Sequence, residues 1–522
     1  MKREVMIEQL EEHQGKTWDV LVIGGGASGL GAALESASRG YKTLLLEQSD
    51  FAKGTSSRST KLIHGGVRYL AQGDIAMVYE ALHERGLLMK NAPHLVSNQT
   101  FVIPNYDWWE MPYYTLGLKV YDMMAGKLGL GPSVSISKEE TLKTIPNIKD
   151  KGLRGGVIYQ DGQFDDSRLA VNLAQTIADF DGTVLNYVKV SGLMKNEAGI
   201  VNGVVAIDRE SEKEYKIKSK AVINATGIFV DDILKMDDSK SEKIVVPSQG
   251  VHLVLEKEFL PGEAAILIPK TDDGRVLFAV PWCGKVVVGT TDTLIKKSSL
   301  EPRALKKEVD FILKTAGDYL TRVPSRSDVL SVFAGLRPLV APKAGGKKTK
   351  EISRGHKIIV SLSSLITMTG GKWTTYRKMG EDTIDQAIIV AGLDERMSST
   401  KFMPIHGHTE NPSKEDALSF YGSDRENIHK LVQNDPRLGE KLHPKLGFIK
   451  AEVVWAVREE MARNIEDVLA RRVRALFLDA QASIEMSETV SRLMADELGW
   501  DESRITKEVD KYLALAQGYI LS

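Results

Sequence analysis

Residues Asp19–Glu47 read DVLVIGGGASGLGAALESASRGYKTLLLE, and this stretch decides the fold. Asp19–Ile23 is an apolar run of strand length that ends in glycines, the pattern of a buried parallel strand. Ser28–Ser38, rich in Ala and Leu, predicts a helix that Gly40 stops. Thr43–Leu46 predicts a second strand, closed by Glu47. Together they form a strand–helix–strand unit. Gly24-Gly25-Gly26-Ala27-Ser28-Gly29 satisfies G-x-G-x-x-G in the turn between strand and helix. There Gly24 permits the tight turn, Gly26 lets backbone approach a pyrophosphate, and Gly29 lets helix pack on strand. The helix N-terminus meets the pyrophosphate charge. The Glu47 carboxylate can accept from ribose hydroxyls. Glycine-rich turns are common in purely structural roles. Strand, turn, helix, strand and terminal acid in this order point instead to a dinucleotide site, without separating FAD from NAD.

Two further glycine turns lie downstream. Ile223-Asn224-Ala225-Thr226-Gly227 follows an apolar strand at Ala221–Ala225 and, alone, reads as a strand-ending turn. Met368-Thr369-Gly370-Gly371-Lys372-Trp373-Thr374-Thr375 sets two glycines before a helix N-terminus, where backbone N–H groups can meet an anion or the electron-rich edge of a flavin. Three such turns over so long a span suit a long cofactor, and FAD better than NAD.

Between these turns Leu169–Phe180 reads as helix, and Thr183–Val190, Val201–Asp208 and Glu214–Ile217 as strands of a small sheet. Many short strands follow between Val251 and Thr290, with turn signals at Asp273-Gly274 and Cys283-Gly284. Arg303–Thr321 returns to helix. Pro404 and Pro412 mark a linker, after which Ala451–Leu478 and Ser483–Leu498 carry apolar residues at helical spacing. The expected class is α/β. A Rossmann-like FAD-binding domain is assembled from 17–90, 150–246 and 350–395. An inserted antiparallel-sheet substrate domain comes from 91–149 and 247–349, and a C-terminal helical domain from 400–522.

Composition narrows the function. The 522 residues, 42% hydrophobic and 27% charged, have an ordinary globular balance and suffice for several structural units. A net charge of -1 gives no bulk attraction to nucleic acid. The single cysteine, Cys283, excludes an internal disulfide or a Cys-rich metal site; it reads as a buried inert thiol in a reducing compartment. No metal is expected. The first 20 residues lack the pattern of a secretory signal, and no run is long and apolar enough to span a bilayer, which leaves peripheral attachment.

Other stretches carry a family resemblance. Thr55-Ser56-Ser57-Arg58-Ser59-Thr60-Lys61-Leu62-Ile63-His64-Gly65-Gly66-Val67-Arg68-Tyr69-Leu70 closely resembles the signature that follows the first strand–helix–strand unit of FAD-dependent glycerol-3-phosphate dehydrogenases. Ala92-Pro93-His94-Leu95, Gly289-Thr290-Thr291-Asp292, Gly335-Leu336-Arg337-Pro338-Leu339 and Gly370–Arg377 match in the same order, and Glu466–Asp479 resembles the family's helical C-terminal domain. This family lies within the D-amino-acid-oxidase-like flavoproteins. The resemblance implies non-covalent FAD, oxidation of sn-glycerol 3-phosphate to dihydroxyacetone phosphate, and electron delivery to a membrane quinone. It implies a cytoplasmic protein held peripherally on the cytoplasmic membrane, and leaves homodimerisation open. The oxygen-using glycerol-3-phosphate oxidases carry an insertion not seen here. An amine or amino-acid oxidase of the same group would need an arginine for a carboxylate, not a cationic phosphate pocket.

The substrate carries a secondary alcohol and a phosphate. Its C2 hydrogen leaves as hydride to flavin N5, its hydroxyl proton goes to a base, and its phosphate needs fixed cations. The residues matching the family's substrate pocket are Arg68, Tyr69, Thr290, Arg337, Arg354 and Lys372. Each has a plain structural alternative, a surface ion pair for Arg68 or a turn cap for Lys372. Expected cofactor contacts are Gly24, Gly26, Ser28, Gly29, Glu47, Thr55, Ser56, Ser57, Lys61, Leu62, His64, Gly65, Gly66, Gly227, Gly371, Lys372 and Thr374. The base stays open between His64 and His252, with Arg337 or Lys372 polarising the hydroxyl. Finally, Trp108-Trp109-Glu110-Met111-Pro112-Tyr113-Tyr114 and the residues to Met124 form an aromatic, apolar stretch. It suits the lipid headgroup level, or else a core helix or dimer contact.

Overall fold

The computed structural model describes residues 1–70, 73–269, 271, 275–341, 355–410, 412 and 416–521, with Arg68 described for its backbone alone. Arg354 and the expected turn at Asp273-Gly274 lie outside the described residues.

The strand Thr17–Ile23 is the centre of the first sheet. It pairs in parallel with Thr43–Leu46 on one side and Glu214–Asn224 on the other. Thr183–Leu185 extends one flank in parallel, and Ile366–Gly370 then His356–Val360 extend the other. Val20–Val22 and Leu44–Leu46 are buried, with the helix Ala27–Ser38 packed on both strands. The sequence suggests separate strands at Glu214–Ile217 and Ala221–Ala225, but Glu214–Asn224 is continuous. Its burial alternates while it pairs antiparallel with Val201–Asp208, then becomes unbroken where it joins the parallel core. Lys216, Lys218 and Lys220 mark the alternating, half-solvated part.

On this sheet the helix Ala27–Ser38 packs against Tyr376–Ala391. The approach is backbone to backbone. A Cβ at Gly31 would lie 2.5 Å from the Tyr376 carbonyl oxygen, and one at Gly380 would overlap the Gly31 carbonyl.

The second sheet is mostly antiparallel. Val245–Glu256 pairs with Ser331–Val340 and Lys285–Gly289, and the sheet continues through Leu277–Trp282, Ala265–Ile268 and Val96–Asn105 to Gly155–Phe164. The segmentation read from sequence groups 150–246 with the nucleotide-binding half; the ladder to Val96–Asn105 puts Gly155–Phe164 in this sheet. Cys283 departs from its expected buried position. It takes the turn between Leu277–Trp282 and Lys285–Gly289 with φ 48°, and as a residue it is exposed. Its sulfur points inward toward Arg474, and desolvation there raises the thiol pKa.

The C-terminal region is helical, with Lys450–Glu460, Ala480–Leu498 and Glu502–Ala516 around a core that also takes Trp282 and Phe333 from the second sheet. The expected helical run Ala451–Leu478 is interrupted. Met461 and Arg474 have left-handed backbone, with a wide turn of helix at Asp467–Arg472 between them. The cause is charge: Arg471, Arg472 and Arg474 are buried and leave helical spacing to reach buried acids. A short hairpin, Lys441–His443 with Leu446–Ile449, was not foreseen. Among the described residues no helix is long and apolar enough to cross a membrane.

Candidate active site

A cavity of about 1310 Å³ lies where the two sheets meet, and all three glycine turns line it. Drug-sized ligand pockets run from roughly 300 to 1,000 Å³, so this one suits a larger molecule.

Gly24, Gly26, Ser28 and Glu47 line the cavity beside the first strand. Gly24 has φ 111°, and a Cβ there would press on the Ala225 carbonyl at 2.7 Å. A side chain on Gly26 would come within 3.0 Å of Ser56 Oγ, which accepts from the Ala27 N–H. Gly29 does not line the cavity; a Cβ there would overlap the Gly24 carbonyl, so its part is helix-on-strand packing. Glu47 Oε2 accepts from Gly25 N–H at 2.6 Å and Oε1 from Ser49 N–H at 2.8 Å. A carboxylate has about four acceptor positions, so capacity for hydroxyls remains. Burial pushes the Glu47 pKa up, with those two backbone donors opposing.

Of the long signature, Thr55, Ser56, Leu62, His64, Gly66 and Tyr69 line the cavity. Thr55 Oγ1 donates to the Leu336 carbonyl, and Trp373 Nε1 donates to the Ser56 carbonyl. The signature is thereby tied to the Gly335–Leu339 and Gly370–Thr375 stretches. Ser57, Lys61 and Gly65, expected as cofactor contacts, lie behind the wall. Lys61 Nζ reaches Asp166 at 2.7 Å in a fully buried pair beneath Trp282, Phe333 and Phe477. Gly65 N–H is taken by Tyr121 OH.

Gly227, Gly371, Lys372 and Thr374 also line the cavity, as do Thr290, Arg337 and both candidate bases. Arg337 donates from Nη1 to the Thr291 carbonyl at 3.1 Å and from Nη2 to Thr290 Oγ1 at 3.2 Å. Asp292 lies 3.9 Å away. Lys372 Nζ sits over the Tyr69 ring, 3.9 Å from its centre. Desolvation lowers the His64 pKa to about 4, with Asp161 opposing and Lys372 and Arg85 assisting. His252 is driven well below its usual value by burial, then by Arg337 and Lys61. Its Nε2 shares a 2.9 Å hydrogen bond with Thr60 Oγ1.

Sequence reasoning missed several lining residues. Thr60 lies inside the quoted signature, and its hydroxyl was the available signal. Asp161 is the one charged residue in the strand VIYQDGQF. Val188 and Val190 line the cavity from the first sheet, and period-two alternation was their only signal.

The loop behind Glu47 is held from the C-terminal region. Asp50 pairs with Arg471 and Arg472, Lys53 with Glu466, and Arg58 Nη2 donates to Tyr519 OH at 3.0 Å.

Comparison with known proteins agrees with this geometry. The family described as FAD dependent oxidoreductase matches residues 19–377, and the C-terminal domain of alpha-glycerophosphate oxidase matches 366–505. The mitochondrial glycerol-3-phosphate dehydrogenase of Schizosaccharomyces pombe is 37% identical, over 99% of this chain and 89% of the relative. Glycerol-3-phosphate dehydrogenase SDP6 of Arabidopsis thaliana is 39% identical, over 94% of this chain and 85% of the relative. Among solved structures, the glycerol-3-phosphate dehydrogenase from Bacillus halodurans complexed with FAD superposes with a TM-score of 0.81. It shares 29% identity and covers 99% of this chain and 98% of its own. A glycine oxidase from Geobacillus kaustophilus, 17% identical with a TM-score of 0.54 over 76% of this chain and all of its own, shares the fold alone. Fold and site thus define an FAD-dependent oxidoreductase, of the α/β class expected, with FAD as its cofactor. More narrowly, the chain belongs to the FAD-dependent glycerol-3-phosphate dehydrogenase family.

Proposed function

We propose that this chain oxidises sn-glycerol 3-phosphate to dihydroxyacetone phosphate and passes the electrons to a quinone at a membrane surface. The observation that carries the reading is the grouping of Arg337, Lys372, Thr290, His64 and His252 in the cavity that the three glycine turns line.

Bound FAD supplies a two-electron acceptor for the hydrogen leaving C2 as hydride. Gly24, Gly26, Ser28 and Glu47 fit its nucleotide part, and Gly371, Lys372 and Thr374 its ring system. Arg337 presents a fixed, forked cation for the substrate phosphate, aimed by Thr290 and Thr291; Lys372 adds a point charge. Burial keeps His64 and His252 neutral near pH 7, so either imidazole has a lone pair for the hydroxyl proton. His252 already shares Nε2 with Thr60, and the base stays open between the two. Leu267, Phe278 and Tyr159 add apolar wall to the same cavity.

Support for membrane contact comes from the helix Glu110–Ala125 and the turn just before it. Trp108, Leu116 and Met123 are exposed, while Leu118, expected in the docking patch, is core. Tyr113, Tyr114 and Leu116 also line the cavity, so an apolar surface and the reaction site share one element.

Anaerobic titration with glycerol 3-phosphate tests the central claim. The yellow flavin absorbance should bleach, and glycerol should leave it unchanged at equal concentration. A protein that binds FAD but is not bleached would be a flavin-binding protein of another role.

A further inference from the structure

Behind the wall that carries His64, three buried side chains close on one another. Asp161 Oδ1 accepts from Arg85 Nη1 at 2.8 Å and Oδ2 accepts from Tyr121 OH at 2.7 Å. The Tyr121 oxygen in turn accepts from Gly65 N–H at 2.9 Å. All three residues are under 3% exposed. The cluster is tight against the loop, because a Cβ on Gly65 would lie 2.6 Å from Tyr121 OH. Three elements meet here: the helices Ile75–Asn91 and Glu110–Ala125, and the strand Gly155–Phe164.

Lys61, Asp166, Asp50 and Arg472 are also buried and charged, but none of the four lines the cavity. The Arg85–Asp161–Tyr121 cluster differs in two ways. Asp161 itself lines the cavity. Its partner Tyr121 holds the peptide next to His64, in a loop whose other face is the cavity wall.

We infer that Arg85, Asp161 and Tyr121 are positioning residues for the reaction: Tyr121 OH fixes the Gly65 peptide, and with it His64, while Asp161 sets the local charge there. This rests on the proposed oxidation of glycerol 3-phosphate. Asp161 is a poor proton carrier, because both of its oxygens are occupied, one by Arg85 and one by Tyr121. Its part is a fixed negative charge. The charged or titratable groups that face His64 are Asp161, Arg85 and Lys372, with Tyr121 behind the loop. Asp161 favours the imidazolium and the two cations oppose it.

Tyr121→Phe removes one oxygen and preserves shape. It leaves Gly65 N–H unheld and Asp161 less neutralised. With wild-type FAD content, anaerobic flavin reduction at saturating glycerol 3-phosphate should fall roughly ten- to a hundredfold, the scale of a misplaced reacting group. The substrate concentration for half-maximal rate should change by less than about twofold, since the cations that take the phosphate are untouched. With His64 as the base, the acid limb of the pH–rate profile should move to higher pH, because stronger negative potential at His64 raises its pKa. Asp161→Asn should move that limb to lower pH. If Asp161→Asn does not fold, Tyr121→Phe alone decides. An unchanged rate in Tyr121→Phe overturns the inference. So does a rate loss matched by lost FAD, which shows a role in stability alone, or a rate loss with the acid limb unmoved, which separates the cluster from the titration of His64. If wild-type flavin is not reduced by glycerol 3-phosphate, the proposed function fails first, and the variant is not needed to see it.

Discussion

Asp50, just past the strand end that carries Glu47, and Arg472, from the C-terminal helical region, form a two-pronged ion pair with no solvent exposure. Nη1 donates to Oδ2 at 2.8 Å and Nη2 to Oδ1 at 3.0 Å. Arg471 Nε joins at 2.6 Å. Burial alone would raise the Asp50 pKa, but the two arginines outweigh it and hold the carboxyl below its usual range. The loop behind the nucleotide site therefore has its counter-charges in the last part of the chain.

Arg472→Met should destabilise the protein by about 3 kcal/mol, because removing one partner of a buried pair strands the other. FAD should be lost at a lower temperature in the same variant. Thermal unfolding followed by both tryptophan and flavin fluorescence checks it. A change under about 1 kcal/mol would mean that Arg471 suffices for Asp50.

His406 gives an alkaline limit. Its ring nitrogens reach Asp179 at 2.7 Å and Asp424 at 3.0 Å, joining the linker to the helix Asp166–Asp179 and to the C-terminal region. Burial would lower its pKa, yet the two carboxylates raise it to about 9. A raised folded-state value means the stabilisation is complete below the unfolded pKa, near 6.5, and disappears as pH rises through about 9. The contribution is on the order of 2–3 kcal/mol. His406→Gln should therefore melt earlier than wild type at pH 6, and the two curves should converge by about pH 10. A constant gap at every pH would contradict this.

Arg337→Ala should keep its FAD and lose glycerol 3-phosphate. A hydrogen bond to a charged group contributes about 1.5–3 kcal/mol, or roughly ten- to a hundredfold in kcat/KM. Unaltered kinetics would place the phosphate elsewhere in the cavity.

Replacing Trp108, Trp109 and Met123 together by Ser should reduce co-sedimentation with liposomes and slow quinone reduction. Each apolar side chain contributes at most about 1–3 kcal/mol on leaving water. Flavin reduction by glycerol 3-phosphate should stay normal, because none of the three carries charge for the phosphate. Undiminished liposome binding would put the docking surface elsewhere.

The nucleotide half was legible because its signals are local. The turn Gly24–Gly29, the flanking apolar strands and Glu47 specify one another over fewer than thirty residues. Arg337 and Lys372 were legible only through the stretches that contain them. Lys61 shows the limit. A lysine inside a cofactor signature invites a contact with the cofactor, but its left-handed backbone, φ 62°, turns it back to Asp166. The buried charges of 466–474 were illegible for a related reason. Helical periodicity assumes that charged residues seek water, whereas Arg471, Arg472 and Arg474 find acids far away in sequence. Cys283 misled through its apolar neighbours Pro281 and Trp282, which are buried while the turn residue is not.

The contact between Gly31 and Gly380 reaches further than either residue. The helix bearing Gly31 starts at the first glycine turn, and the helix bearing Gly380 follows the turn at Gly370-Gly371. Both turns line the cavity, yet neither of these two residues does. Their crossing acts as a fixed gauge for the span between the two turns, and hence for the length of molecule that can bridge them. A methyl group added at either crossing point would alter that span without touching the bound molecule. Loss of cofactor fit would then arise from a residue that no map of ligand contacts would single out.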